Sequence, residues 1–308
     1  MSEINHGGKN AGASVIKELE AMGFRAALIP SSSIEQIIKI YDAYTESECS
    51  PFNVKDWFFS KQPPDISFKP LSFLIIAFQS PEGSIHLKYN DRVFSLPIPP
   101  TYLDGSTKQR LGEILKKAAV DYQLAEAKAI SMKLLAVLSG LGKYGRNSLC
   151  YMEEYGSFCN FEAYYTDIPC DDKAHEPTMM DRCESCGLCV ENCPNDALGS
   201  QLIIDTSRCL TIWNEHNEPL PDWILPGVHH AAVGCLRCQE VCPANITAPK
   251  IKKEALELSE IETESLLLSP STELPSELST KLLDYGLWEM FVSLAGRNIK
   301  LAIEAIGI

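Results

Sequence analysis

The chain has 308 residues, 45% hydrophobic and 22% charged, a globular composition that excludes disordered, collagen-like and coiled-coil readings for most of its length. It contains no apolar run of about 18 residues, so no membrane span is expected, and the polar start Met1-Ser2-Glu3-Ile4-Asn5-His6 does not read as a secretory signal. Its 27 Lys+Arg against 41 Asp+Glu give a formal charge of −14, which argues against nucleic-acid binding, a chemistry built on clustered cations.

In chain order, residues 14–24 predict an amphipathic helix, with Val15, Ile16, Leu19 and Met22 at helical spacing and Gly23 as a stop. Residues 31–41 predict a second helix with a Ser cap and Glu35 in its first turn. Pro51, Pro63, Pro64 and Pro70, with Phe52, Trp57, Phe58 and Phe59 among them, mark 50–70 as an irregular packed loop. The apolar run Leu71–Phe78 between Pro70 and Pro81 predicts a buried strand. Segments 86–89 and 92–96 predict a hairpin around Asn90-Asp91. Residues 106–124 and 126–139 read as two helices. From Cys183 to Pro243 the chain turns into a Cys- and Pro-rich module, 254–280 reads as a solvated helix and linker, and a last helix is expected from about Lys281 to Ile306.

The 12 Cys carry the strongest signal. Without a secretory signal a disulfide framework is not expected, so clustered thiols in a reducing, cytoplasmic compartment point to metal or iron–sulfur chemistry. Cys183-x2-Cys186-x2-Cys189-x3-Cys193-Pro194 lets one loop wrap a cubane cluster, and the Cys before Pro serves the other cluster in two-cluster ferredoxins. Cys209 with Cys235-x2-Cys238-x3-Cys242-Pro243 repeats the template, its first Cys moved upstream. The two-cluster rule assigns Cys183, Cys186, Cys189 and Cys242 to one [4Fe–4S] cluster and Cys193, Cys209, Cys235 and Cys238 to the second. Two structural zinc sites are the alternative, disfavoured by the C-x2-C-x2-C run ending in Cys-Pro. Cys49, Cys150, Cys159 and Cys170 lack ligand spacing and read as free thiols.

Gly140-Leu-Gly142-Lys-Tyr-Gly145 matches the dinucleotide-binding string, but the segment before it reads as helix, not strand, and the segment after it is too irregular for the required helix. A helix-ending turn and a ligand contact both remain open here.

Gly140–Leu149, followed by Tyr155-Gly-Ser-Phe158, Thr166-Asp-Ile-Pro169 and then the two-cluster module, resembles the epoxyqueuosine reductase family and, more distantly, the corrinoid-dependent reductive dehalogenases. The resemblance is clearest over about 130–246. It implies a cobalamin held between an N-terminal α/β domain and the cluster module, reached by electrons through the clusters. On that model Gly140, Gly142, Gly145, Arg146 and Asn147 form the cofactor-side loop. The family's proton-donating Asp falls by gap-free alignment on Glu126, whose longer arm shifts the acid, and a surface Glu is the competing explanation.

Gly296–Gly307 looks like the point where the tRNA-modifying enzymes enter a helical-repeat tail, yet 249–308 holds 10 acidic and 6 basic residues, a poor phosphate-binding surface. The expectation is therefore a cobalamin- and iron–sulfur-dependent reductase not acting on tRNA. It would be fed by a low-potential donor such as ferredoxin or flavodoxin and act on a small molecule. The alternative is an electron-transfer protein or reductive activator serving a partner corrinoid protein. A purely structural role for the clusters is a third reading.

His229 and His230 before Cys235, Tyr102, Lys143, Tyr144 and the Trp57-Phe58-Phe59 run each have a packing explanation beside a functional one. The fold class expected is α+β. An α/β cofactor or substrate domain spans 1–175, a two-cluster ferredoxin-like module 176–248, and a linker with C-terminal helices 249–308.

Overall fold

The computed structural model describes residues 7–45, 65–128, 130–199, 204–269, 273–287 and 289–306. The expected aromatic run 57–59 and Cys49 lie outside them. Helix α1 (Gly7–Ala21) starts earlier than its apolar stripe and ends at Gly23, whose φ of +89° suits glycine. Strand β1 (Arg25–Pro30) comes next, then a 3-10 turn leading into α2 (Ile34–Thr45).

Strand β2 (Ser72–Gln79) is the centre of the first sheet, paired antiparallel to β1 on one side and to β8 (Cys159–Thr166) on the other. The edge is β5 (Leu124–Glu126), giving the order β1-β2-β8-β5. Alternate β2 residues enter two cores. Leu74, Ile76 and Phe78 meet Val15 and Leu19 of α1 and Leu111 and Leu115 of α3 (Gly105–Ala118). Phe73, Ile75 and Ala77 meet Ile37 of α2 and Leu134, Leu135 and Leu138 of α4 (Met132–Leu138). A continuous apolar run is usual for parallel strands; here helices on both faces of an antiparallel sheet produce it. Each fully buried Leu or Ile contributes about 1.5–3 kcal/mol.

The hairpin β3 (Gly83–Tyr89) and β4 (Arg92–Ile98) turns on Asn90 and Asp91, both at positive φ (50° and 57°), as a two-residue I′ turn requires. The second expected helix, 126–139, is corrected. Its first residue, Glu126, ends edge strand β5, and α4 begins only after Ser131, whose side chain caps it through Leu134 N–H. The expected linker also differs. Strand β9 (Leu256–Leu258) pairs in parallel with β3, and its buried Leu256 and Leu258 explain why the segment is ordered.

Within the module lie the short helices α5 (Leu188–Glu191), α6 (Leu210–Asn214), α7 (Arg237–Glu240) and α8 (Pro243–Thr247). Beyond β9 come α9 (Glu260–Leu267), α10 (Ser276–Asp284) and α11 (Glu289–Ala305), so the single terminal helix expected is two, separated at Gly286 with φ of +101°. A third core joins Ile85, Leu87, Phe94, Leu96 and Ile98 of the hairpin to Leu278, Leu282, Ile299 and Ile303. The architecture is α+β.

Candidate iron–sulfur centre

The cysteines are placed by one-turn elements. Cys183 ends a 3-10 turn and is buried; Cys186 and Cys189 flank and enter α5; Cys193 lies just beyond it. Cys209 and Cys242 sit at the N-termini of α6 and α8, and Cys235 and Cys238 bracket the start of α7. Asn192 donates to the Arg237 carbonyl at 2.6 Å and ties the two motifs together.

Two groups of thiols result, crossing the sequence order. Cys189 feels Cys183, Cys242 and Cys186 electrostatically, and Cys183 feels Cys242 and Cys186. Cys235 feels Cys209 and Cys193, and all four of Cys193, Cys209, Cys235 and Cys238 line one cavity of about 40 Å³. Among the described residues no three of His, Cys, Asp and Glu close onto a single-ion point. Burial, then mutual repulsion and hydrogen bonds in opposing senses, push the Cys235 thiol up to about 12, and burial raises Cys183, Cys189, Cys209 and Cys238 as well. A coordinated metal supplies the positive charge that makes such thiols thiolates. The donor set and its cavity therefore fit clusters.

The glycine-rich segment docks against this module. A Cβ on Gly142 would lie 2.5 Å from Cys150 Sγ and 2.8 Å from the Tyr151 carbonyl, and one on Gly145 2.5 Å from the Tyr151 ring. Gly140 has φ of +79° and faces the His175 ring. Two short strands, β6 (Lys143–Tyr144) and β7 (Cys150–Tyr151), close the turn. Arg146 donates through Nη2 to the Cys183 carbonyl at 2.6 Å, and buried Asn147 donates to the Tyr151 hydroxyl at 2.9 Å. All five residues expected on a cofactor-side loop are thus engaged by protein.

The module is also fixed to the turn before β8 by a buried network. Ser157 N–H donates to Asn245 Oδ1 (2.8 Å), Asn245 Nδ2 to Ser157 Oγ (2.8 Å), and Ser157 Oγ to Gln239 (2.9 Å). Of the histidines, His230 accepts the Leu236 N–H at 3.1 Å and so shapes the loop holding Cys235, whereas His229 is buried with neither ring nitrogen partnered among the described residues. Lys143 is exposed and ion-paired with Asp181. Glu126 lies at the exposed end of β5, paired with Lys128 at 3.0 Å and opposite Tyr164 in the ladder.

The sequence reading missed Lys133 and Glu215. The Tyr102 hydroxyl bonds the Glu215 carboxylate, and the nearby Lys133 feels Glu215, Cys150, Cys209 and Cys238. Burial raises Glu215 to about 7, against the pull of Tyr102 and Lys133, and burial lowers Lys133. The available signal was Lys133 as the one charge in the helix Met-Lys-Leu-Leu-Ala-Val-Leu. The trio is an acid–base group beside the second thiol set.

Residues 182–245 match the family model for the 4Fe-4S double cluster binding domain. An epoxyqueuosine reductase from Cyclobacterium marinum is 32% identical over 149 residues, 48% of this chain and 46% of that protein. The Bacillus subtilis epoxyqueuosine reductase is 28% identical over 143 residues, 46% of this chain and 35% of that protein. These alignments span less than half of the relatives' length. A solved structure of the Bacillus subtilis epoxyqueuosine reductase superposes on 96% of this chain and 82% of that chain, with a TM-score of 0.66 at 19% identity, a likeness of fold. Another, at TM-score 0.66 and 18% identity over 96% of this chain and 82% of that chain, was determined with a tRNA-Tyr epoxyqueuosine-modified tRNA stem loop. The chain therefore carries a 4Fe-4S double cluster binding domain, resembles the epoxyqueuosine reductases in sequence and shares their fold.

Proposed function

We propose that this protein is an oxidoreductase that relays low-potential electrons through two [4Fe–4S] clusters. Cys183, Cys186, Cys189 and Cys242 hold one cluster and Cys193, Cys209, Cys235 and Cys238 the other. The observation that carries the reading is the crossed grouping: Cys242 faces the first motif and Cys193 the second, as a two-cluster ferredoxin requires and as two consecutive zinc sites would not. The chain's part is to hold eight thiolates, exclude water from them and keep the clusters close enough for electron passage.

The acceptor proposed is a corrinoid, by likeness to the epoxyqueuosine reductases. A bound cobalamin supplies a strongly reducing cobalt centre. The residues that the resemblance assigns to it are Gly140, Gly142, Gly145, Arg146 and Asn147, a turn that Arg146 ties to the module through the Cys183 carbonyl. The formal charge of −14 favours a second reading, an electron carrier or reductive activator serving a partner corrinoid protein. The charge of −14 supports a substrate or partner other than tRNA, and a ferredoxin or flavodoxin is the class of donor proposed.

The test is anaerobic purification with iron and acid-labile sulfide analysis, followed by cobalamin titration watched by absorbance. Two clusters with a stoichiometric base-off corrinoid spectrum support the first acceptor reading. Two clusters with no corrinoid binding support the second. Zinc in place of iron sinks both.

A further inference from the structure

The loop that carries Cys235 is pinned by a histidine that precedes it. The 3-10 turn Pro226–Val228 packs against α11 and is closed by the His229 N–H, which donates to the Pro226 carbonyl at 3.1 Å. His230 follows, half-buried, with both ring nitrogens engaged. Nδ1 lies 3.2 Å from the Val228 carbonyl oxygen, and Nε2 lies 3.1 Å from the Leu236 nitrogen. A carbonyl only accepts and a peptide N–H only donates, so these partners assign the neutral tautomer with its hydrogen on Nδ1. Leu236 is 6% exposed and stands between Cys235 and Cys238 in the chain. Its carbonyl accepts the N–H groups of Gln239 (2.8 Å) and Glu240 (2.9 Å), which opens α7. Leu236 is therefore held on both sides, by α7 through its oxygen and by His230 through its nitrogen.

The Leu236 nitrogen is bonded to the Cys235 carbonyl carbon, so its hydrogen stays within a few bonds of that sulfur. A buried peptide N–H takes an acceptor, and a charged one attracts it more than a neutral one. Hydrogen bonds donated to cluster sulfurs stabilise the extra negative charge of the reduced state and are one of the protein's levers on cluster potential. We propose that His230 is a positioning residue that keeps the reduction potential of the second cluster low, by withholding the Leu236 N–H from the Cys235 sulfur. The inference rests on the two-cluster reading above. In the reduction concerned, one electron from an external low-potential donor takes that cluster from the 2+ to the 1+ state, with no proton transferred.

Two variants separate this role from simple packing. His230→Phe keeps a ring and removes both bonds, whereas His230→Gln puts an amide oxygen in place of the Nε2 acceptor. After anaerobic reconstitution, iron and sulfide are counted and the protein is titrated with dithionite under electron paramagnetic resonance. In His230→Phe one potential should rise by a factor of roughly three to ten in the reduction equilibrium, at most about 59 mV for a one-electron couple, with the other unmoved. His230→Gln should return it to the wild-type value. Full clusters with unmoved or lowered potentials in His230→Phe overturn the proposal, and so does a rise that His230→Gln shares. Wild-type protein without iron overturns instead the reading beneath it. Should His230→Phe fail to assemble, nuclear magnetic resonance of oxidised wild-type protein labelled on its histidine nitrogens decides. The His230 signals, identified by their loss in His230→Gln, should show a protonated Nδ1 and an accepting Nε2; a hydrogen on Nε2 overturns the proposal.

Discussion

Glu215 and His229 give the module opposite responses to pH. Burial raises the Glu215 carboxyl from 4.5 to about 7 in the fold, so above pH 4.5 the unfolded chain gains a favourable ionisation that the fold resists. Its contribution to stability is complete below about 4.5 and declines until about 7. His229 moves the other way: burial first, then Arg297 and His230, lower it from 6.5 to about 4. Stability then falls as pH drops from 6.5 towards 4, because the unfolded imidazole takes a proton that the folded one refuses. The two trends offset in the wild type and separate in variants. Glu215→Gln should leave a Tm that rises from pH 5 to 6.5, and His229→Leu a Tm that falls from pH 5 to 7, both followed by circular dichroism melts of anaerobic holoprotein. Gly145→Ala belongs to this scale too. Its methyl would sit 2.5 Å from the Tyr151 ring and 2.7 Å from Asn147 Oδ1, and a loss of about 1–3 kcal/mol in denaturant unfolding is expected.

Among the elements, the helices differ in what holds them. In α9 the cap is complete: Ser259 Oγ accepts the Glu262 N–H, and Glu262 accepts the Ser259 N–H at 2.8 Å while pairing with Lys281 of α10 at 2.7 Å. Ser259→Ala should cost about 1 kcal/mol, measured as a lowered denaturation midpoint. In α3, by contrast, a methyl placed on Gly112 would meet nothing within 4 Å, so Gly112→Ala should gain about 1 kcal/mol from helix propensity alone. The same substitution type thus reverses sign between an open helix face and the packed turn at Gly145. At the far end, α11 reaches back to the thiols: Asn298 donates to the Asn214 carbonyl at 2.9 Å and Arg297 to the Trp213 carbonyl at 2.8 Å, which fixes the short helix that Cys209 begins.

For the whole molecule, the crossed ligand pairing predicts which losses go together. Cys183→Ala and Cys242→Ala, 59 residues apart, should remove the same cluster; Cys193→Ala, only 10 residues from Cys183, should remove the other. Iron per chain and the paramagnetic signals of the single variants and of the Cys183→Ala/Cys242→Ala pair test this: the pair should lose no more iron than either single change. Independent, sequence-local sites would make Cys183 and Cys193 behave alike.

The spacing of the cysteines is enough to announce a two-cluster module, because cubane ligation is met by a short local loop and its rule is written in consecutive residues. The β3–β4 turn is legible for the same reason, as Asn90 and Asp91 tolerate the positive φ that the turn demands. Periodicity likewise finds α1, α2 and β2. The features that the sequence leaves open depend on distant partners. Strand β5 looks helical until β8 supplies its ladder, and β9 looks like linker until β3 does. The glycine triad reads equally as turn or ligand loop, and only the tertiary structure brings Tyr151, Cys150 and His175 against it. Lys133, Glu215 and Tyr102 come from three separate segments, and their shared environment exists only where tertiary packing removes the water between them.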